Sequence, residues 1–263
     1  MLRANDDFIG TLAASARRTV SEGYYDGAIE PGEFAHRSLR EALAAAKGMP
    51  LITEVKFRSP AEGPLRAASD VRAIARAYQR GGAAAISVLT EPKHFDGSLG
   101  YLAAVKRSVD VPVLMKDVVV DPVQVDAAQA SGADAVLLMD AVFRSRLASV
   151  GLREMIERAH SRGLEVLLEA HTEAEYAESL QTEADLVGIN NRDLRTLEVS
   201  LETSRRLLAG RPHAKPVVCE SGLTRASELA ELRSLGADGF LVGSALMKSA
   251  DIEGTVRELV GAP

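Results

Sequence analysis

At 263 residues, 46% apolar and 26% charged, the chain has the make-up of a soluble globular protein of one large domain or two small ones. A net charge of −6 argues against a nucleic-acid or anionic-membrane surface. The single cysteine, Cys219, rules out an intrachain disulfide, makes a cysteine metal cluster improbable, and fits a cytoplasmic location.

The first eight residues carry acids and no apolar stretch, unlike a secretory signal. No uncharged apolar run approaches the roughly 20 residues that span a bilayer. Residues 5–22 are expected to form an amphipathic helix with Phe8, Leu12 and Val20 on its apolar face, broken by the stretch from Gly23 to Gly27. A second helix is expected over 34–47, ended by Gly48.

From residue 51 a rhythm sets in. Apolar runs at 51–57, 84–90, 111–116, 133–139, 164–170, 184–190, 216–220 and 238–243 read as strands. Four of them share a lead-in, beginning at Gly82, Gly132, Glu183 and Gly236, which makes a weak internal repeat. Helical patterns lie between, with start signals at Asp70, Asp121-Pro122, Thr172 with Glu175, and Thr224 with Glu228 one residue out of step. Eight alternations predict right-handed βαβ units and a parallel sheet. Their length fits an α/β fold of the closed (β/α)8 TIM-barrel type, a single domain over 1–263 with residues 1–49 as an N-terminal helical extension. No Gly-x-Gly-x-x-Gly follows the first strand, which weakens a dinucleotide-binding reading.

The chain is organised around residues 51–60. Alternation along the strand puts Ile52, Glu54 and Lys56 on one face. On its own the Glu54–Lys56 pair could be a structural ion pair on a rim. The other strand ends change that reading, because barrel chemistry sits at the C-terminal ends of the strands. Strand 3 ends in Lys116-Asp117, strand 5 in Glu169 and His171, strand 6 in Asn190 to Arg192, and strand 7 in Glu220. Ser221-Gly222 and Gly243-Ser244 fall after strands 7 and 8, where such barrels bind phosphate. Lys56, Lys116 and Arg192, joined by Arg58 and Lys93, suit a small anionic ligand. His171 has no second His or Cys at ligand spacing, so no catalytic metal is expected and His171 reads as a satisfied rim residue; no cofactor is expected, and Cys219 reads as core.

At this point the motifs match a family. Ile52 to Lys56 with Ser59-Pro60, Ile86 to Lys93 with Phe95 and Gly97 to Leu99, and Pro112 to Asp117 resemble the first three strand motifs of indole-3-glycerol phosphate synthase. Leu167 to Glu169, Gly188 to Arg192, Glu220 to Gly222 and Leu241 to Ser244 resemble its later ones, in order, over about residues 50–248. The resemblance implies a phosphorylated substrate, 1-(2-carboxyphenylamino)-1-deoxyribulose 5-phosphate, whose ring closes onto the sugar carbonyl before carbon dioxide and water leave. It implies Lys116 as general acid at ring closure, and Glu169 and Lys56 in later proton transfers. Glu54 would support Lys56 or act as a base. Asn190 and Arg192 would orient the substrate beside Glu220, and Ser59, Ser221, Gly222, Gly243 and Ser244 would bind it at the phosphate end. Neighbouring cations are expected to tune the Lys116 ammonium downward.

Three positions depart from the family pattern. Val118 stands where phenylalanine is usual, Met115 where arginine or lysine is usual, and Asp140 follows strand 4 where apolar residues are expected. All three bear on the aromatic end of the pocket, where Asp140 would repel a benzoate. The rival readings are another phosphosugar enzyme on the same barrel, an isomerase or a Schiff-base aldolase, and a non-catalytic phosphoester-binding paralogue. The expected partner is the small anionic substrate, with no nucleic acid and no membrane, and the expected assembly is a monomer or weak homo-oligomer.

Overall fold

The computed structural model describes residues 8–26, 34–67, 70–209 and 214–261. Eight parallel strands close into a barrel: β1 (Leu51–Val55), β2 (Ala85–Leu89), β3 (Val113–Lys116), β4 (Ala135–Met139), β5 (Glu165–Ala170), β6 (Leu186–Asn190), β7 (Val217–Glu220) and β8 (Gly239–Val242). Neighbours in sequence are neighbours in the ring, and β8 closes it on β1 through Leu51↔Phe240, Ile52↔Leu241 and Thr53↔Val242. Every apolar run read from the sequence is a strand, trimmed at one end or both.

The expected helix caps explain where the connections start. Asp70, Asp121 and Thr172 accept the N–H of Arg72, Val123 and Glu175, and Pro122 opens its helix. The fourth cap differs in detail. Arg225 is the N-cap of Ala226–Ser234, and Glu228 reaches back to the N–H of Thr224 and Arg225 at 2.8 and 2.9 Å. The glycine lead-ins at Gly82, Gly132 and Gly236 adopt left-handed φ, as the turn from helix to strand requires.

Alternation along the strands makes two apolar layers. Ile52, Leu114, Leu137, Leu167, Leu186, Val218 and Leu241 fill the barrel interior. Val55, Met115, Leu138, Val166, Ile189, Cys219 and Phe240 pack outward in a second cluster that includes residues of the surrounding helices. Each such side chain contributes about 1.5–3 kcal/mol of burial. The same alternation, carried one or two steps further along the inner face, delivers Glu54, Lys116, Glu169, Asn190 and Glu220 to one rim.

The N-terminal extension touches both ends of the barrel. Helix α1 (Phe8–Ser21) lies at the C-terminal mouth, with Ile9, Leu12, Ala13 and Ala16 in the interior cluster and Arg17 donating to the Leu147 carbonyl at 2.6 Å. Helix α2 (Leu39–Ala44) plugs the opposite end with Leu39 and Leu43. It is shorter than the expected 34–47. Ser38 caps it through the Glu41 N–H, and the residues before it bond to the barrel floor instead of coiling. The Arg37 N–H donates to Asp134 at 2.8 Å, and in the first turn of α2 the Arg40 N–H donates to Glu165 at 3.0 Å. Asp134 also accepts the Val113 N–H at 2.7 Å and both bonds of a fully buried Lys106, at 2.7 and 2.6 Å. Residues 5–7 of the first expected helix, and Gly27 at its break, lie outside the described residues. No described helix is long and apolar enough to cross a membrane.

Candidate active site

The C-terminal mouth holds a cavity of about 510 Å³, within the range that encloses small-molecule ligands. Its wall includes Glu54, Lys56, Ser59, Lys116, Glu169, Asn190, Arg192, Glu220, Ser221, Gly222, Gly243 and Ser244, so the sequence-selected residues converge on one space. The geometry inside it is one of close ion pairs. Lys56 Nζ lies 2.6 Å from Glu54, and Lys116 Nζ bridges Glu220 at 3.2 Å and Glu169 at 3.4 Å. All three carboxylates are buried. Glu54 Oε2 and Glu220 Oε1 have no hydrogen-bond partner among the described residues, which leaves each able to accept a proton.

This arrangement corrects one expectation. Burial draws the Lys116 ammonium down, but the carboxylates of Glu220, Glu169 and Glu54 outweigh it and hold its pKa above the ordinary lysine range. Lysine is therefore firmly charged here, and its nearest charged neighbours are anions. Burial pushes Glu220 up to about 7 against the pull of Lys116, with Glu169 adding to the rise. The cluster thus pairs a held proton with a carboxyl that titrates near neutrality.

Two glycines make room for these acids. A Cβ on Gly188 would come 2.3 Å from Glu220 Oε1, and one on Gly243 would come 2.4 Å from Glu54 Oε1. Both approaches are far inside van der Waals contact. The sequence points to Gly243 for its backbone, and its lack of a side chain is also what lets Glu54 stand upright.

The loops after β6 and β7 are tied together. Asn190 Oδ1 accepts the Arg192 N–H at 2.9 Å, and the Arg192 guanidinium is held on the Leu197 carbonyl at 2.9 Å. Asn191, which the sequence places at the strand end without a role, accepts from Ser204 and donates to the Ser221 carbonyl at 3.1 Å. It supports two successive left-handed residues, Ser221 with φ +67° and Gly222 with φ +78°. For a serine that conformation costs about 1 kcal/mol or more, and a Cβ on Gly222 would strike Val199 at 2.5 Å.

The other end of the cavity is apolar, lined by Phe95, Val118, Leu137 and Met139 and covered by Phe8 and Leu12 of α1. Glu91 shapes the loop that presents Phe95, accepting the N–H groups of Lys93, His94 and Phe95 at 3.0, 2.7 and 3.2 Å. Among the three departures, Val118 lines this end and the other two do not. Met115 sits on the outward face of β3, in the layer beneath the helices. Asp140 opens the helix Asp140–Arg144 and pairs with Arg144, which also holds Glu178, so it adds no charge to the cavity wall. Arg58 and Lys93 are likewise outside it, facing Asp96 at 3.8 Å and Glu22 at 3.3 Å. Lys248 and Glu62, which the sequence did not single out, line it.

Next to Lys116, Asp117 is buried and accepts the Tyr25 hydroxyl at 3.0 Å, the Thr90 hydroxyl, and the Val118 N–H at 2.7 Å. Burial pushes its carboxyl up to about 6 against those hydrogen bonds. His171 is a satisfied rim residue on the Asn190 carbonyl at 2.7 Å. Cys219 is core, its thiol pushed up to about 12 by burial.

A closed parallel barrel with acids and ammoniums on its C-terminal strand ends, and Ser-Gly and Gly-Ser turns after its last two strands, defines the class of (β/α)8-barrel enzymes. The family model described as indole-3-glycerol phosphate synthase matches residues 25–259. The chain belongs to the indole-3-glycerol phosphate synthase family. A relative of that name from Methanopyrus kandleri is 48% identical over 236 residues, covering 86% of this chain and 88% of the relative. One from Rhodopirellula baltica is 43% identical, covering 86% of each. Among solved structures, the thiamine phosphate pyrophosphorylase from Pyrococcus furiosus superposes with a TM-score of 0.60 at 22% identity, over 84% of this chain and 96% of that one, a likeness of fold.

Proposed function

We propose that this protein is an indole-3-glycerol phosphate synthase, a carboxy-lyase that converts 1-(2-carboxyphenylamino)-1-deoxyribulose 5-phosphate to indole-3-glycerol phosphate, carbon dioxide and water. The observation that carries the reading is Lys116, held charged between Glu169 and Glu220 on the inner face of a family-matched barrel. In ring closure the carboxylate-bearing ring carbon attacks the sugar carbonyl carbon, and Lys116 gives its proton to the carbonyl oxygen as charge develops there. Carbon dioxide then leaves, returning its bonding pair to the ring. The new hydroxyl leaves as water with a proton from Lys56, while Glu169 takes the proton from the adjacent carbon. Glu54, 2.6 Å from the Lys56 ammonium, aims it. Asn190 and Arg192 orient the substrate, Glu220 holds Lys116, and Ser59, Ser221, Gly222, Gly243 and Ser244 receive the phosphate. The aromatic ring lies toward Phe95, Val118 and α1.

A Schiff-base aldolase needs a neutral lysine amine, and three carboxylates around Lys116 favour the opposite state. We further propose that residues 1–263 act as one domain in the cytoplasm, as a monomer or weak homo-oligomer. The test is a fluorescence assay for indole product with this substrate. Wild type should form it, and Lys116→Met should lower kcat by about 100-fold or more, with ligand affinity falling much less. Absence of indole fluorescence from folded wild type refutes the reading; near-normal kcat in the variant refutes the Lys116 assignment and turns attention to Lys56; borohydride should trap no substrate adduct.

A further inference from the structure

The corner assigned above to the substrate's phosphate already holds an anion belonging to the protein. Arg58–Ser59 and Gly63–Pro64 pair antiparallel as a small hairpin, with Glu62 at its turn and Gly63 at φ +70°. The base of the hairpin is fastened. The Leu65 N–H donates to the Phe57 carbonyl at 2.8 Å, and the Arg66 guanidinium donates to the carbonyls of Met247, at 2.7 Å, and Ser249. The tip rests on charge. Glu62 Oε1 accepts the Ser244 hydroxyl at 2.8 Å, and Glu62 Oε2 is paired with the Lys248 ammonium. Burial pushes the Glu62 carboxyl up, but Lys248 and Ser244 together bring it below the ordinary range, so it is charged at neutral pH.

Ser244 and Lys248 are the kind of donors a phosphoester takes, and both line the cavity. A serine hydroxyl has one proton and serves one acceptor at a time. A phosphate of charge about −1.5 to −2 set beside the Glu62 carboxylate would meet like charge at short range. Glu62 and a bound phosphate therefore exclude one another.

We propose that Glu62 is an internal stand-in for the phosphate: its carboxylate holds Ser244 and Lys248 until substrate arrives, and the phosphate displaces it, lifting the hairpin tip and gaining Lys248 as a ligand. The inference rests on the phosphate placement of the proposed function. The pair is built to be exchanged, since the Lys248 and Glu62 side chains are 54% and 29% exposed and such pairs are weak. Arg66 keeps the base in place while the tip moves.

The test uses the full chain, inorganic phosphate as probe, and substrate kinetics. Glu62→Gln should tighten phosphate binding and lower KM by about two- to fivefold, with a smaller change in kcat, as loss of a weak competing pair predicts. Lys248→Met should weaken phosphate binding and raise KM by about three- to tenfold. In the Lys248→Met background the gain from Glu62→Gln should shrink, because the freed ammonium is what the phosphate wins. Glu62→Ala, which cannot bond Ser244 at all, is the second variant. If both Glu62 variants leave phosphate affinity and KM where wild type has them, or worsen them, while wild type turns substrate over, the stand-in is refuted. If wild type neither binds phosphate nor forms product, it is the proposed function that fails.

Discussion

Gly188→Ala tests the cavity's geometry with one methyl group. The new Cβ would stand 2.3 Å from Glu220 Oε1, whereas ordinary contact begins near 3.4 Å. The carboxylate must retreat by about 1 Å, and a misplacement of that size in a reacting cluster can lower kcat by about 100-fold. The displacement acts on Lys116, which Glu220 holds at 3.2 Å. Glu220 is a side-chain end and moves more readily than the β6 backbone, so the fold should survive with its melting temperature lowered by a few degrees at most. The assay is kcat and KM for the carboxyphenylamino substrate from about pH 6 to 9, alongside a thermal melt. The expected result is a fall in kcat of about 10- to 100-fold, a smaller change in KM, and a shift in the ionisation near 7 assigned to Glu220. A variant with wild-type kcat and an unmoved pH profile would refute the claim that Glu220 must stand where Gly188 allows it.

Lys106→Met strands the buried Asp134 carboxylate and should destabilise by about 3–5 kcal/mol, which for 263 residues lowers the melting temperature by about 5–9 °C; an unchanged melt would mean Asp134 finds another partner. Asp117 carries a folded-state pKa of about 6 against an ordinary 3.8, so its charge is unfavourable above that range and neutral below it. Asp117→Asn should therefore gain stability relative to wild type as pH rises from about 4 to about 6, by up to about 2–3 kcal/mol, then level off; urea midpoints that show a gap independent of pH would contradict this. Val118→Phe should add aromatic contact of about 0.5–1.5 kcal/mol at the apolar end and lower KM by about 3- to 10-fold without loss of kcat; a flat or higher KM would place the substrate ring elsewhere.

The barrel was legible because it is written in two simple periods. Runs such as Ala133–Met139 are too short for helices and too apolar for surface, and their spacing leaves room for one helix each. The rim was legible for the same reason, since a step of two along β1, β3, β5 and β7 predicts that Glu54, Lys116, Glu169 and Glu220 point inward together. What alternation does not carry is distance. Counting charges suggested that cations surround Lys116, but strand stagger sets three carboxylates nearest to it. The family pattern points to Met115 at the pocket, but its position in β3 turns it toward the helices. Phe8 and Leu12 were visible as an apolar face, with nothing in their periodicity to say that the face closes a cavity. Glu62, Asn191 and the Tyr25–Asp117 bond depend on which loops meet, and local sequence holds no signal for that.

The N-terminal extension has a mechanical consequence. Of the eight seams in the barrel, the one between β3 and β4 has the shortest register, Leu114↔Ala135 and Met115↔Val136. The extension is stitched along that seam. At the floor, Asp134 ahead of β4 gathers the Arg37 N–H, the Val113 N–H and Lys106. At the mouth, Tyr25 grips Asp117 just past β3. The described part of the extension thus works as a clasp over the weakest joint of a cylinder, in addition to roofing its cavity through Phe8 and Leu12. Cutting the clasp should loosen the barrel first between β3 and β4, beside Lys116.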